Sequence, residues 1–198
     1  MLGASDEDLV ARVRSGDARA FSDIVMRYQD RVYRLCLRTL GDPITSEDMA
    51  QEVFLSLYRS LGDFRGECSL STFIFRVTLN HCRNRRGYQQ RRAWDRHEPL
   101  EGTGPEDGPS RELPDEKSGT DAATHRSEAV EILYDALGRM DETAREIIVL
   151  RDIEDLDYDE IAEILSLPRG TVKSRLHRAR AELARVLGRF IGKRDIFE

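Results

Sequence analysis

The chain has 198 residues and a formal net charge of −6, and 34% of its side chains are charged whereas only 7% are aromatic. No apolar run approaches the roughly 20 residues that a membrane-spanning helix needs, which argues against an integral membrane protein. The acidic N-terminal stretch MLGASDEDLV lacks the basic and apolar regions of a signal peptide, so we expect a cytoplasmic protein.

Residues 5–92 have helical periodicity and predict an N-terminal helical domain. The apolar side chains of the segment SEDMAQEVFLSLYRSL fall on one stripe that we expect to be buried. A leucine stands among acidic and polar side chains on the opposite face, which suggests a surface for a protein partner; the alternative is a solvated face with one stray leucine. The expected buried stripe comprises Val53, Phe54, Leu57 and Leu61. The opposite face, called the Leu55 face below, comprises Asp48, Gln51, Glu52 and Leu55.

A second helix in this domain, STFIFRVTLNHCRNRRGYQQRR, carries a basic stripe. Arg76, Asn80 and Arg83 follow one another at i, i+4 and i+7, and no acidic residue occurs from Asn80 to Arg92. Phosphate contacts combined with nearby aromatic side chains would suit single-stranded DNA, whereas the alternative is a solvated basic helix end. The aromatic residues expected near the stripe are Phe64, Phe73 and Phe75.

Residues 93–127 are rich in proline, glycine, serine and acid, with nine acidic and four basic side chains. Such a composition cannot bury enough apolar surface to offset the entropy of ordering. We therefore predict a flexible acidic linker, so the net charge of the whole chain conceals basic clusters on either side of it.

Residues 128–192 predict a C-terminal helical domain that contains a helix-turn-helix. The segment DYDEIAEIL predicts a short helix, and Pro168 interrupts the helical pattern after it. The segment LPRGTVKSRLHRARAEL predicts a second helix, with five basic residues and no acid before Glu182. The stripe expected to pack inward is Val172, Leu176, Ala179 and Leu183. Thr171, Ser174, His177 and Arg178 lie opposite, with Lys173 at the edge and Arg169 flanking the core stripe. This pattern predicts DNA binding in the major groove, the alternative being a solvated basic face on a helical hairpin.

The predicted fold class is all-α, with two small helical domains joined by a flexible linker. We expect no catalytic site, metal or cofactor, because no His, Asp or Glu cluster is visible and the carboxylates fall mostly on solvated faces or in the linker. A helical nuclease or hydrolase would need such a cluster. The cysteines are Cys36, Cys68 and Cys82; they form no C-x-x-C pair, and we expect Cys36 and Cys82 to be buried apolar side chains. The histidines His81, His97, His125 and His177 are scattered.

Three segments together resemble the extracytoplasmic-function (group 4) sigma factors of bacterial RNA polymerase. They are GDARAFSDIVMRYQDRVYRLCLRTLGD, EDMAQEVFLSLYRSLGDFRGECSLSTFIFRVTLN and YDEIAEILSLPRGTVKSRLHRARAEL, in the order of that family. The likeness covers nearly all of the chain outside the linker. A helix-turn-helix repressor or activator, the main rival, would explain residues 127–192 but neither the Leu55 face nor the basic stripe.

The resemblance implies a role for each surface. Core RNA polymerase would be bound through its β′ clamp helices and β flap, with the Leu55 face on the clamp helices. The −10 promoter element would be recognised and melted by Phe64, Arg65, Ser69, Ser71, Thr72, Arg76, Asn80 and Arg83. The −35 element would be read by Arg151, Arg169, Thr171, Lys173, Ser174, His177 and Arg178. An anti-sigma factor is the further partner that the resemblance implies.

Two departures from the family pattern carry expectations of their own. Ser166 stands at a turn position where glycine is usual, and it is strained if its φ angle is positive. The acidic linker, which in the family passes through the polymerase interior, would mimic nucleic acid until the transcript displaces it.

Overall fold

The computed structural model describes residues 4–95, 130 and 132–194, and all regular structure within those residues is helical. The predicted all-α class is confirmed. Within the same residues, none of the helices has the length and apolar character needed to cross a membrane. The helices are α1 (Asp6–Arg14), α2 (Ala18–Leu40), α3 (Pro43–Ser60), α4 (Leu70–Asp95), α5 (132–138), α6 (Glu142–Ile148), α7 (Tyr158–Leu165) and α8 (Arg169–Arg194). A 3₁₀ turn (Leu61–Asp63) follows α3, and a π-helical turn (Val149–Ile153) continues α6.

The hairpin between α2 and α3 is formed by three consecutive residues. Gly41 ends α2 in the left-handed region at φ 76°, where a side chain would be strained. Asp42 then caps α3 by accepting a hydrogen bond from the Thr45 backbone N–H at 2.9 Å, and Pro43 occupies the first helical position. This sharp reversal brings α3 back along α2.

The N-terminal domain, α1–α4, is held together by apolar faces of α2, α3 and α4. The predicted buried stripe of α3 is confirmed, with Val53, Leu57 and Leu61 almost fully buried and Phe54 packed at the edge of the core. Cys36 of α2 and Cys82 of α4 are both buried free thiols, as predicted, with their sulfur atoms 3.8 Å apart. The hydrogen bond with Cys36, together with burial, raises the pKa of the Cys82 thiol, so both cysteines act as apolar packing groups.

The C-terminal domain, α5–α8, packs directly on the N-terminal domain, with α7 against α4 and α6 against α2. One continuous cluster of buried side chains, including Leu79 and Ile148, runs through both domains. Beyond Asp95, the predicted linker lies outside the described residues, as do His97 and His125.

Candidate nucleic-acid interface

Helices α7 and α8 form the predicted helix-turn-helix. Ser166 ends α7 in the left-handed region at φ 54°, as anticipated for a position where glycine is usual. The backbone N–H of Leu167 donates to the Ala162 carbonyl at 2.8 Å, and the N–H of Thr171 donates to the Pro168 carbonyl at 2.8 Å. These bonds fix the turn, so the direction of α8 relative to α7 is well defined.

The two sides of α8 differ as the sequence predicted. Val172, Leu176 and Ala179 are almost completely buried against the domain core. The predicted base-reading side chains share one exposed face, whereas Thr171 is half-buried beside them. This recognition face comprises Lys173, Ser174, His177 and Arg178.

The N-terminal end of α8 borders a depression of about 290 Å³ lined by Tyr158, Arg169, Gly170 and Lys173. Arg169 lies 3.4 Å from Asp159 in an ion pair whose two members are well exposed, so its guanidinium remains accessible. The two basic side chains and the start of the helix give this end a positive potential suited to a phosphate.

Arg151, expected to reach DNA from the preceding helix, lies in the π-helical turn. Its guanidinium donates to the Leu156 carbonyl at 2.8 Å, pairs with Asp155 at 3.2 Å and lies 5.6 Å from the centre of the Tyr158 ring. It is thus partly committed to holding the loop before α7 and only half-exposed.

The Leu55 face on α3 is fully open. Asp48, Gln51 and Glu52 are exposed, and the Leu55 side chain is 61% exposed although it is apolar. Sequence reasoning missed the length of this surface, because Ile44 (65% exposed) and Tyr58 (56% exposed) continue it at either end. The spacing 44, 48, 51, 55, 58 follows the helical repeat and would have found both.

The loop before α4 is organised by serine hydroxyls. The Ser69 hydroxyl accepts a hydrogen bond from the Thr72 backbone N–H at 3.1 Å and lies 2.9 Å from the Ser71 hydroxyl. Thr72 itself is almost completely buried and receives a hydrogen bond from Ser69 at 2.8 Å, so in this structure its side chain supports the loop and does not reach the surface.

The aromatic residues near the basic stripe divide into two groups. The rings of Phe64 and Phe73 are 4.8 Å apart, half-buried under the loop that also carries the exposed Arg65. Phe75, by contrast, is fully buried and is covered by the Arg31 guanidinium at 4.7 Å, so it serves the core.

The basic stripe of α4 faces the C-terminal domain. Arg83 donates two hydrogen bonds to the carboxylate of Glu146, at 2.8 and 2.6 Å, and this pairing raises the pKa of Arg83. Arg76 lies 3.4 Å from Glu163 of α7. Asn80, between them on the same helix, is exposed. Two of the three stripe residues are therefore already paired within the chain.

Further ion pairs join the domains, and sequence reasoning missed all of their acidic members. Glu154 accepts hydrogen bonds from Arg31 at 3.2 Å and Arg38 at 2.8 Å. The Glu146 side chain is 1% exposed and that of Glu154 is 5% exposed, so these two are exceptions among carboxylates that otherwise lie mostly on solvated faces, as expected. Glu146 belongs to the segment Arg145–Ile148, every residue of which is buried. The apolar residues of this segment are a weak sequence signal that Glu146 is buried as well.

Arg145 is a buried cation with four backbone partners. It donates to the carbonyls of Leu137 (2.5 Å), Gly138 (2.9 Å) and Met140 (3.1 Å) at the end of α5. It also donates to the Thr39 carbonyl, at 2.7 Å, near the end of α2 in the other domain. Burial, reinforced by the neighbouring Arg86, lowers the pKa of Arg145 to about 10. The carbonyl ends of two helices are thus joined through one guanidinium.

Over the described residues, the structure brings together no group of three or more His, Cys, Asp or Glu side chains that could hold a metal ion. The charged side chains converge instead on surfaces suited to nucleic acid and on the contact between the domains.

Comparison with known proteins identifies the family to which the chain belongs. The family model "Sigma-70 region 2" matches residues 24–92, and "Sigma-70, region 4" matches residues 130–183. The chain is 34% identical to the RNA polymerase sigma-H factor of Pseudomonas aeruginosa over 182 residues, which are 92% of this chain and 93% of that protein. It is also 35% identical to the ECF RNA polymerase sigma-E factor of Escherichia coli K12 over 179 residues, 89% of this chain and 91% of that protein. The chain belongs to the extracytoplasmic-function sigma factors.

Solved sigma factors share the fold. The structure of CnrH in complex with the cytosolic domain of CnrY matches with a TM-score of 0.65 and 27% identity, covering 92% of this chain and 97% of that one. RpoE of Bartonella quintana, solved with the anti-sigma factor NepR, matches with a TM-score of 0.68 at 18% identity, covering 86% of this chain and 98% of that one.

Proposed function

We propose that this sigma factor binds core RNA polymerase through the Leu55 face, reads the −35 element with the recognition face of α8, and recognises and melts the −10 element with the loop and basic stripe of α4. The observation that carries the proposal is the exposed polar and basic face of α8, presented by a helix-turn-helix in a chain that also matches sigma region 2. The roles of the two domains, taken as residues 5–92 and 128–192, follow from it.

In this proposal, short and long side chains of α8 together read the −35 element. Ser174 is short enough to let the backbone of α8 approach the bases, and Arg178 can donate two hydrogen bonds to a guanine. Lys173 and Arg169, beside the depression at the start of α8, suit backbone phosphates. His177 occupies the centre of the exposed face and sets base preference together with Ser174 and Arg178.

Melting of the −10 element needs a site that captures an unstacked base. The loop before α4, with Ser69, Ser71 and the adjacent, mutually tilted Phe64 and Phe73 rings, offers polar groups beside an aromatic surface. Base capture offsets part of the stacking energy lost on strand opening and reads sequence in the same step. Asn80 supplies an exposed amide on the adjoining helix.

The two DNA contacts reinforce each other only when their separation is fixed. A polymerase that holds both domains makes the second contact effectively intramolecular, so two weak sites give tight and specific promoter binding. The proposed activity therefore needs neither a nucleophile nor a cofactor, and it places the protein in the cytoplasm with the polymerase.

A protein inhibitor is the further proposed partner. CnrH was solved with the cytosolic domain of CnrY, and the Bartonella factor with the anti-sigma factor NepR. We extend this type of partner to the present chain, where an inhibitor would cover the Leu55 face or the DNA-reading surfaces.

Run-off transcription tests the proposal. Core RNA polymerase would transcribe sheared genomic DNA of the source organism with and without the protein, and every new RNA 5′ end would be mapped. We expect new start sites that share two upstream motifs about one and a half to two helical turns apart. Site-specific DNA binding without polymerase, together with no new start sites, would favour a helix-turn-helix repressor or activator instead.

A further inference from the structure

A two-pronged ion pair joins the π-helical turn to the side of α8, and the proposed function uses neither of its members. The guanidinium of Arg180 donates to both carboxylate oxygens of Asp152, through Nε at 3.1 Å and through a terminal nitrogen at 2.5 Å. This hydrogen bonding raises the pKa of Arg180 above its usual value. Because two parallel hydrogen bonds fix direction as well as distance, the pair orients the turn relative to the helix.

Arg180 lies next to the recognition face of α8 without belonging to it. Lys173, His177 and Arg180 follow one another at i, i+4 and i+7, so they lie along one side of the helix. Lys173 also lines the depression at the start of α8, together with Tyr158. The ion pair therefore stands at the edge of the surface that we propose for the −35 element.

Asp152 directly follows Arg151 in the π-helical turn. The other residues predicted to read the −35 element all belong to α8, so Arg151 has to be brought to the DNA from a separate element. Its guanidinium is held by the Leu156 carbonyl at 2.8 Å and lies 5.6 Å from the centre of the Tyr158 ring. The pair of Asp152 with Arg180 extends this support to α8 from the adjacent residue.

The turn that carries Arg151 and Asp152 is wider than an α-helical turn. The backbone N–H of Glu154 donates to the Val149 carbonyl, five residues back, at 2.9 Å. Hydrogen bonds of this kind are rare and occur mostly in single turns, often at functional sites. In this turn the neighbouring side chains diverge, with Arg151 directed to the start of α7 and Asp152 to α8.

Neither charge attraction to DNA nor stability accounts well for an acidic residue at this place. A carboxylate beside a DNA-binding surface opposes binding, because DNA is itself anionic. The Asp152 side chain is 31% exposed and that of Arg180 is 53% exposed, and ion pairs with such exposure contribute little to stability. An orienting role explains the carboxylate better than either.

We propose that Asp152 is a positioning residue for the reading of the −35 element. Through Arg180 it holds the π-helical turn in one orientation on α8, so that Arg151 and the recognition face meet the DNA as one rigid unit. Asp152 touches no DNA in this role and acts through Arg151. The inference rests on the proposed function and adds two residues to it.

A double-mutant cycle separates this role from a contribution to folding. Core RNA polymerase with each sigma variant transcribes a mapped promoter, and abortive transcripts measure initiation. Arg151→Ala should reduce initiation about tenfold, and Asp152→Asn about threefold, because the second change loosens a contact that the first removes. In the Arg151→Ala background, Asp152→Asn should cause no further loss. An equal loss in both backgrounds, or normal initiation by either single variant, would overturn the inference.

Two further variants control for charge. Asp135→Asn removes the same charge from an exposed position on α5 of the same domain and should leave initiation unchanged. Asp152→Glu keeps the carboxylate and should initiate within about twofold of the wild type. If the carboxylate acts only by repelling DNA, Asp152→Asn raises initiation, and that result would also overturn the inference.

Circular dichroism shows whether Asp152→Asn keeps its helices. If it does not, Arg180→Lys replaces the fork by a single charged group and carries the same prediction to a smaller degree, and additive loss with Arg151→Ala overturns it. Failure of run-off transcription by the wild type would reject the proposed function. Normal initiation by the wild type and by Asp152→Asn alike would reject only the positioning role.

Discussion

Two helices in this sigma factor carry basic surfaces that we propose for DNA, and their environments differ. The recognition face of α8 is open to solvent, whereas Arg76 and Arg83 of α4 are paired with Glu163 and Glu146 of the other domain. Basic charge along a helix shows where nucleic acid can bind. The packing of the rest of the chain decides how much of that surface is exposed.

The difference in exposure between the two surfaces fits the roles proposed for them. Under the proposed function, the exposed face of α8 reads the −35 element in the major groove of intact duplex. Capture of melted −10 bases is useful only at a promoter held by polymerase. The stripe on α4 that we propose for the −10 element is the one paired with carboxylates of the C-terminal domain.

The largest predicted effect concerns the cation that joins the domains. Arg145→Met should lower the free energy of unfolding by about 3 kcal/mol or more, because it removes a buried guanidinium that donates to four backbone carbonyls of the two domains. Urea denaturation followed by circular dichroism measures it. Arg189→Met makes the same change on the exposed side of α8 and should cost no more than about 0.5 kcal/mol. Equal losses of unfolding free energy in the two variants would show that Arg145 has no special part in the contact between the domains.

The open surface can be tested with a matched pair on α8. Arg178→Ala should reduce initiation at the mapped promoters by about tenfold, as expected when a base contact of ~1–3 kcal/mol is lost. Arg185→Ala removes an exposed arginine two turns further along and should have little effect. Abortive transcription assays on linear templates give the comparison. A larger defect from the Arg185 change would mean that the recognition face has been assigned to the wrong part of the helix.

The covered surface offers a similar pair on α4. Asn80→Ala should slow promoter opening about fivefold, corresponding to one hydrogen bond of ~1 kcal/mol, without weakening the binding of core polymerase. Asn84→Ala, at the next exposed asparagine along the helix, serves as its control. Permanganate reactivity of unpaired thymines follows opening with time. If polymerase binding falls in parallel with opening, Asn80 belongs to a polymerase contact rather than to the −10 site.

The smallest effect concerns the turn that sets the direction of α8. Ser166→Gly should raise the free energy of unfolding by about 0.5–1 kcal/mol, because glycine adopts the φ of 54° without strain. Ser56→Gly, within α3, should instead lower it by about 0.5–1 kcal/mol through added backbone entropy. Thermal melting distinguishes the two signs, and destabilisation by both would indicate that the Ser166 side chain makes a contact worth more than the strain.

Much of the helical architecture can be predicted from short-range patterns in the sequence. The stripes Val53–Leu57–Leu61 and Val172–Leu176–Ala179 repeat at helical spacing, so their burial is predictable from sequence alone. Pro168 and the neighbouring Ser166 mark the helix-turn-helix turn in the same direct way. Charge and spacing predicted nucleic-acid and protein-partner surfaces, and the family resemblance added the specific promoter elements and the polymerase.

The contact between the domains has no such local signal. Glu146 and Glu154 look like ordinary solvated acids in the sequence, and only the approach of arginines from α2 and α4 makes their burial tolerable. Their partners lie 63 or more positions away along the chain. Thr72, which the family resemblance placed among the −10 contacts, is likewise almost completely buried, and its hydroxyl receives a hydrogen bond from Ser69.

The most direct test of the account is a hydroxyl-radical footprint on a mapped promoter, made with the free sigma factor and with the factor bound to core polymerase. We predict weak protection confined to the −35 element for the free protein, and protection of both elements with an opened −10 region for the assembled enzyme. Strong protection of the −10 element by the free protein at physiological salt would contradict the proposal that the two DNA contacts act together only when polymerase holds both domains.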